Sequence, residues 1–210
     1  MRKALAAFLL ASTAVLLYGC AGRIGENEGF QPESSSIYVS SDGSVSSAIV
    51  ETYEKENYDD ASLKTFLDGA VAEYTEEHPG QGEKPAVSLK ECSVKNGKMT
   101  AVFEYASPED MIAFGKKQQD DSIALTSMEV KAVSEALSGE SGTGNLVDSQ
   151  NQAADLTEVM KEDRAVAVIA EGEGLIQTEG KILYVSEGTE LDSSKNQAKV
   201  SGEKSYIIFK

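Results

Sequence analysis

The segment that most constrains the fold of this chain is VSLKECSVKNGKMTAVFEY, residues 87–105. Apolar and polar residues alternate on both sides of Asn96-Gly97, and Asn-Gly between two such runs is the strongest short signal for a β-hairpin. Both turn residues must take positive φ, which asparagine and glycine tolerate better than other residues. We therefore predict antiparallel strands over Val87–Val94 and Met99–Tyr105.

The register of this hairpin carries a second prediction. A two-residue turn pairs Cys92 with Ala101, but continuing the same register would set Lys90 against the apolar Phe103. One extra residue near Lys90-Glu91 brings Leu89 opposite Phe103 and keeps the apolar side chains on one face. The sequence therefore predicts a β-bulge at that point.

Two further elements precede this hairpin. Ile37–Val39 and Val45–Tyr53 flank Asp42-Gly43, which again indicates a hairpin turn, with both central residues at positive φ. Apolar residues then recur at the three- and four-residue spacing of a helix from about 60 to 76. They form one apolar stripe along that helix: Leu63, Phe66, Leu67, Ala70, Val71 and Tyr74.

End signals support this helix and predict a second one. Asp59 can cap the first turn, and Tyr58 and Leu63 stand at the two positions of a hydrophobic staple. Pro79-Gly80 ends the helix. A shorter helix is expected over about 107–117, with serine at the N-cap and proline at the first helical position.

The second half of the chain indicates mainly β-structure. Ile123–Leu137 fits a strand, a helix or one followed by the other, while Ser138–Gln152 is typical of a loop and Glu171–Gly174 of a turn between strands. A helical turn is expected near 156–161. Short apolar runs predict five strands, the last of which would hold the C-terminal end in a sheet: 164–170, 175–178, 181–186, 198–200 and 206–209.

Together these elements predict an α+β fold, with an antiparallel β-sheet, two or so packed helices and a C-terminal part that is mostly β. The folded region is expected over residues 36–210. It would form a single domain, or two small subdomains divided near 138–152.

The first nineteen residues have the pattern of an export signal. Arg2 and Lys3 precede an apolar run, Ala4–Leu17, that is shorter than the roughly 20 residues needed to span a bilayer. The motif Leu17-Tyr18-Gly19-Cys20 follows directly. Residues 1–19 are therefore predicted to be a signal peptide.

This arrangement resembles the lipobox signal of bacterial lipoproteins. Leu17, Gly19 and Cys20 match the pattern, whereas Tyr18 stands where a small or β-branched residue is usual. The resemblance implies that a lipoprotein signal peptidase recognises Leu17 and Gly19, cleaves before Cys20, and leaves a diacylglyceryl group, with palmitate-type chains, on the Cys20 sulfur. Two acyl chains hold a protein stably on a membrane.

The same resemblance implies where the protein is found. Residues 20–35 would be the lipidated cysteine and a flexible tether, and the folded part would lie at the extracytoplasmic face of the cell membrane. In its general character, the acidic remainder resembles the small uncharacterised lipoproteins of Gram-positive anaerobes. That likeness implies no activity and no site residues.

The charge of the chain excludes some partners. It has 19 Lys and Arg against 35 Asp and Glu, a net charge of −16, which becomes −18 when Arg2 and Lys3 leave with the signal peptide. No basic stripe is present to neutralise nucleic-acid phosphates, so no nucleic-acid partner is expected. The acidity suits a cation or a basic ligand, or simply keeps an exposed protein soluble.

Few residues suggest chemistry. His78 is the only histidine and lies beside a predicted helix end, and Cys92 lies in a strand pattern that predicts a small buried side chain. One cysteine and one histidine cannot make a zinc site. The pairs Asp59-Asp60 and Asp120-Asp121 lack the spacing of an EF-hand loop. We therefore predict no catalytic residues, no metal site and no cofactor.

These observations favour a non-enzymatic module that binds an envelope protein, a peptide or a cell-wall component. A sheet edge, the concave sheet face or the 138–152 loop would provide the surface. A lipoprotein that captures a small ligand for a transporter is the main alternative, although the chain is short for two lobes. A hydrolase acting on wall polymers is a third, since carboxylates can pair in space without being close in sequence.

Overall fold

Strands form most of the architecture. The computed structural model describes the following parts of the chain: residues 30–53, 59–80, 82, 84–138 and 145–210. They contain ten strands: β1 (Ser36–Val39), β2 (Val45–Thr52), β3 (Val87–Lys95), β4 (Lys98–Tyr105), β5 (Ala124–Ala132), β6 (Leu146–Asp148), β7 (Val166–Thr178), β8 (Ile182–Ser186), β9 (Glu190–Leu191) and β10 (Gln197–Phe209). They also contain four helices: α1 (Asp60–Glu77), α2 (Pro108–Gln118), α3 (Val133–Ala136) and α4 (Leu156–Val159). The fold is α+β with a strand-rich C-terminal part, as the sequence predicts.

All ten strands join one sheet. The strand order is β3-β4-β2-β1-β7-β10-β8-β6, with β5 also beside β7 and β9 also beside β10. Pairing is antiparallel except between β1 and β7, which run parallel. On one edge of β7, residues 166–173 pair with β5 and residues 176–178 pair with β1. Strands from before and after residues 138–152 therefore belong to the same sheet.

The hairpin over residues 87–105 and its bulge are both confirmed. Asn96 and Gly97 have φ values of 53° and 76°, as a two-residue turn of this kind requires. Leu89 pairs with Phe103, and the register shifts between Leu89 and Glu91. The extra residue keeps the apolar side chains of β3 and β4 on the same face.

The earlier hairpin is confirmed as β1 and β2, but the prediction for its turn is wrong in one respect. The loop runs from Ser40 to Ser44. Of the two residues predicted to form the turn, Gly43 has positive φ (85°) whereas Asp42 does not. The Asp42 carboxylate accepts hydrogen bonds from the Ser44 amide (2.9 Å) and the Ser40 hydroxyl (2.7 Å). Hydrogen bonds from these two serines lower the pKa of Asp42 to about 2 and stabilise the longer loop.

Both predicted helices are present with their caps. The Asp59 carboxylate accepts a hydrogen bond from the Ser62 amide (3.1 Å) at the start of α1, and His78 is the C-cap. Ser107 caps α2 in the same way, through the amide of Asp110. Tyr58, the predicted staple partner, lies outside the described residues. The segment Ile123–Leu137 is a strand followed by a short helix, β5 and then α3.

Two predictions about the second half are wrong. The segment Ser138–Gln152 contains strand β6, in which Leu146 and Val147 are buried and pair with β8, although the sequence predicts a loop. Residues 139–144 of that segment lie outside the described residues. Glu171–Gly174 is not a turn but part of the continuous strand β7. Gly172 has φ of 103°, and a Cβ there would lie 2.3 Å from the Ala124 carbonyl oxygen, so only glycine allows β5 to pack here.

The sheet buries apolar side chains on both faces. Alternate residues of β1, β2 and β4 point to opposite sides. The face covered by α1 and α2, here called the front face, carries the largest core cluster, which includes Ile37, Phe103 and Phe114. The helices α3 and α4 contribute to a second cluster around Tyr206 and Ile208.

Phe30 and Ser35, which belong to the predicted tether, both contact the sheet, and Phe30 packs on its back face. Phe30 is buried and stacks on Tyr38, with ring centroids 4.9 Å apart. The Ser35 hydroxyl accepts a hydrogen bond from the Val50 amide (2.9 Å). The tether prediction is therefore wrong at Phe30, because this aromatic side chain gains more by covering the sheet than by remaining in solvent. Gln31, Glu33 and Ser34 are exposed. Residues 20–29 lie outside the described residues.

Candidate functional site

A half-open groove of about 880 Å³ lies on the front face. That volume lies within the roughly 300–1,000 Å³ of typical ligand pockets. Strands β2 and β4 provide its floor, α1 and α2 provide side walls, and the segment joining α2 to β5 completes it. Its apolar lining includes these side chains: Ile49, Phe66, Leu67, Ala70, Phe103 and Ile112.

Two hydroxyl groups meet at the floor of the groove. Ser47 on β2 and Tyr105 on β4 are diagonal neighbours across the strand pair, and their oxygens lie 2.8 Å apart. Both residues are buried, at 3% and 4% exposure. Burial raises the pKa of Tyr105 well above its usual value, and the hydrogen bond with Ser47 opposes this only in part. Tyr105 is therefore a neutral phenol whose hydroxyl is already paired.

The wall formed by α2 is held by aromatic contacts. The Phe114 ring lies 5.4 Å from that of Phe103 and 6.2 Å from that of Tyr105, measured between centroids. It also meets Tyr74 of α1 edge to face, at 5.3 Å and 82°. Edge-to-face and tilted contacts of this kind stabilise aromatic clusters. The inner side of the groove is therefore formed by side chains that pack against one another.

The outer wall, from α1, is different because its apolar stripe is only partly covered. Tyr74 is the fully buried member, while Leu67 and Ala70 are half-buried and Phe66 is 68% exposed. The helix packs chiefly on β3, at the edge of the sheet, and only its C-terminal part reaches α2. Phe66 and Leu67 therefore line the groove rather than complete a closed core.

Acidic side chains stand at the rim of the groove. Glu51 lies near the end of β2, and Asp120 and Asp121 lie between α2 and β5. The Asp120 carboxylate accepts a hydrogen bond from the Ser122 amide (2.9 Å), which holds it in place. In the part of the chain that the structure describes, Lys116 is the one lysine or arginine in the lining. The rim therefore carries an excess of negative charge above an apolar interior.

Of the residues that the sequence singles out for possible chemistry, Asp120 and Asp121 line this groove, whereas His78 and Cys92 do not. Leu17, Gly19 and Cys20 lie outside the described residues. The His78 ring stacks on Tyr74 at 4.2 Å between centroids, and its Nδ1 lies 3.2 Å from the Tyr74 carbonyl oxygen. This places His78 at the end of α1 in a structural role.

Cys92 is not the buried residue that the sequence predicts. It is half-buried on β3, an edge strand, because α1 covers only part of that face. Partial burial raises the pKa of its thiol, and the negative charge of Asp60 adds to this effect. The thiol is therefore less ionised than an ordinary cysteine. Asp60 accepts a hydrogen bond from the Val94 amide (2.5 Å), so its position is explained by the packing of α1 on β3.

The described residues contain no group of three or more His, Cys, Asp or Glu side chains that could hold a metal ion. In the same part of the chain, every buried side-chain nitrogen or oxygen has a hydrogen-bond partner. The groove therefore offers a ligand apolar contact inside and charge at its rim.

Sequence reasoning missed the groove, although two signals for it exist. The face of β2 that carries Ser47 also carries Ile49 and Glu51, so it mixes polar and apolar side chains where a closed core would be uniformly apolar. In addition, Phe66 belongs to the predicted apolar stripe of α1, yet it is exposed. Helical spacing shows which side chains share a face, but not how much of that face another element covers.

Comparison with known proteins does not identify a relative. No family model matches the chain, and no curated protein or solved structure matches it. Within the described residues, no helix has both the length and the apolar character needed to cross a membrane.

Proposed function

We propose that this protein is a lipid-anchored extracytoplasmic lipoprotein whose domain binds an envelope partner in the groove between α1 and α2, without catalysing a reaction. The observation that carries the binding site is the exposure of Phe66 beside a preformed apolar cavity. A large apolar side chain in solvent at the mouth of a groove is typical of a contact surface. The anchor on Cys20 is supported by the lipobox motif.

The way the chain enters the fold is compatible with this arrangement. Phe30 packs on Tyr38, on the back face of the sheet, while the groove opens on the front face. A tether that precedes Phe30 would therefore approach the domain on the side opposite the groove. The binding surface would remain accessible while the protein is attached to its membrane.

Capture of a small ligand for a transporter is the second candidate, and the volume of the groove favours it. Small-ligand pockets usually also present convergent polar groups that orient the ligand. Here the two floor hydroxyls, on Ser47 and Tyr105, are paired with each other. The exposed Phe66 is better explained by a larger partner, so we favour a protein or peptide.

Photocrosslinking on intact cells of the native host tests this proposal. A p-benzoyl-phenylalanine residue in place of Phe66 is expected to give one discrete crosslinked species. The same residue in place of Met160, the C-cap of α4 and another exposed apolar side chain (43%, against 68% for Phe66), serves as the control and is expected to give none.

The crosslink must also depend on the groove. Adding Leu67→Asp to the Phe66 crosslinking variant places a charge in the apolar lining and is expected to remove the crosslinked species. A crosslink that survives Leu67→Asp, or that appears equally from position 160, would show that the groove is not the binding surface.

A further inference from the structure

We infer that the occupant of the groove is a peptide segment with apolar anchor residues flanked on both sides by lysine or arginine. This inference rests on the proposed function, because it names the chemistry of the partner that the groove would bind. Two observations support it. The interior of the groove is apolar, and the acidic residues of its rim come from two separate parts of the chain.

The interior selects for apolar side chains. Ile49, Phe66 and Leu67 line the groove, and its volume of about 880 Å³ can take several side chains rather than one. The hydroxyls of Ser47 and Tyr105 at the floor bond to each other and so do not require a polar group from the ligand. Burying apolar surface against these side chains is the main favourable contribution available here.

The rim selects for positive charge. Among the described residues, Glu51, Asp120 and Asp121 line it together with one basic residue, Lys116. At physiological ionic strength, exposed charges act over roughly 8 Å, so these local carboxylates matter more than the overall charge of −16. An acidic ligand would meet repulsion from the rim and from the rest of the molecule.

The placement of the carboxylates favours a peptide over a small cationic amphiphile. Glu51 belongs to strand β2, whereas Asp120 and Asp121 belong to the segment between α2 and β5. Val45 pairs with Tyr105, near which Asp120 lies, and Glu51 is six residues further along β2, roughly 20 Å at about 3.3 Å per residue. A ligand with one cationic group can therefore contact only one of these two places. A peptide with basic residues before and after an apolar stretch can contact both while its apolar side chains occupy the interior.

Binding of defined peptides tests the inference. The full chain, purified from its host, is held in phosphatidylcholine nanodiscs, whose neutral surface does not attract basic peptides. Two fluorescent peptides share one five-residue apolar core, with two lysines at each end in one and two glutamates at each end in the other. The lysine peptide is expected to bind at least tenfold more tightly in 0.15 M salt, and this preference should shrink in 1 M salt.

Charge-neutralised variants locate the effect. Glu51→Gln, Asp120→Asn and Asp121→Asn together should weaken binding of the lysine peptide about tenfold. A matched triple variant, Asp163→Asn, Glu190→Gln and Glu203→Gln, makes the same change of charge at exposed residues outside the groove and should bind like the unmodified protein. Equal weakening in both variants would overturn the inference, because it would show attraction to the overall charge alone.

The remaining outcomes separate this inference from the proposed function. Equal binding of both peptides, lost in Leu67→Asp, would overturn the basic-peptide inference and leave the groove as a binding site. Binding of neither peptide would also overturn the inference, while the cell crosslink from position 66 tests the site independently. If decyltrimethylammonium competes at the concentration at which the lysine peptide does, the partner is a small amphiphile and the inference is wrong.

Discussion

Replacing Cys20 by serine is expected to abolish fatty-acid attachment completely. Cells of the native host are grown with an alkyne-bearing palmitate analogue, and the protein is recovered and tested for the label. The unmodified protein should carry the label, because the proposed lipobox would direct a thioether-linked diacylglyceryl group to the Cys20 sulfur. The serine oxygen of Cys20→Ser is not a substrate for that modification, so its signal should fall to background.

The second cysteine provides the matched control. Cys92→Ser removes the other thiol of the chain and should keep the label in full. Intact mass measurement on the unmodified protein should also show that residues 1–19 are gone. Label on Cys20→Ser, or a mass that retains the first nineteen residues, would rule out the anchor.

Replacing Ile207 by aspartate is expected to prevent cooperative folding. Ile207 has no solvent exposure and lies in β10, which pairs with β7 on one side and β8 on the other. An unpaired carboxylate at such a position costs several kcal/mol, and the cavity left by the isoleucine adds roughly 2–5 kcal/mol. The sum is comparable with the about 5–15 kcal/mol that stabilises a typical domain.

Thermal unfolding followed by circular dichroism measures this effect. Ile207→Asp should show no cooperative transition, whereas Ser201→Asp, at an exposed position of the same strand, should lose less than about 1 kcal/mol. The small loss arises from repulsion by Glu173, which pairs with Ser201. A variant with aspartate at position 207 that melts within a few degrees of the unmodified protein would show that β10 is not central to the fold.

The sequence predicted those parts of the fold that depend on local patterns. The bulge before Glu91 follows from the alternation of apolar residues on two strands joined by a short turn, and the α1 cap at Asp59 follows from one side chain and its nearest amides. Such signals depend on residues close together in the chain. They are therefore visible without knowledge of the rest of the structure.

The errors concern contacts between distant parts of the chain. Glu171–Gly174 has the composition of a turn, yet it remains a strand because β5 and β10 pair with it on both sides. The parallel pairing of β1 with β7 joins residues far apart in sequence and leaves no local pattern. Strand β6, which contains Leu146 and Val147, has three residues and is too short to show an alternation of apolar and polar side chains.

The candidate site escaped prediction for the same reason. Phe66, Ser47 and Asp120 come from a helix, a strand and a loop that are separated along the chain and meet only in the folded protein. They line one groove because α1 and α2 leave part of the sheet uncovered between them. The acidic composition suits a cation or a basic ligand, or solubility alone, and it could not show which of the 35 acidic residues line the groove.

Labelling of single cysteines in intact cells tests the central claim most directly. In a Cys92→Ser background, Met160→Cys and Thr126→Cys, which is at an exposed lining position of the groove and leaves Phe66 in place, are treated with a maleimide that cannot cross membranes. We expect the cysteine at 160 to react on intact cells, and the cysteine at 126 to react in the purified protein but to be protected on cells by the bound partner. Equal reaction at both positions on cells would contradict an occupied groove, and no reaction at 160 would contradict an extracytoplasmic location.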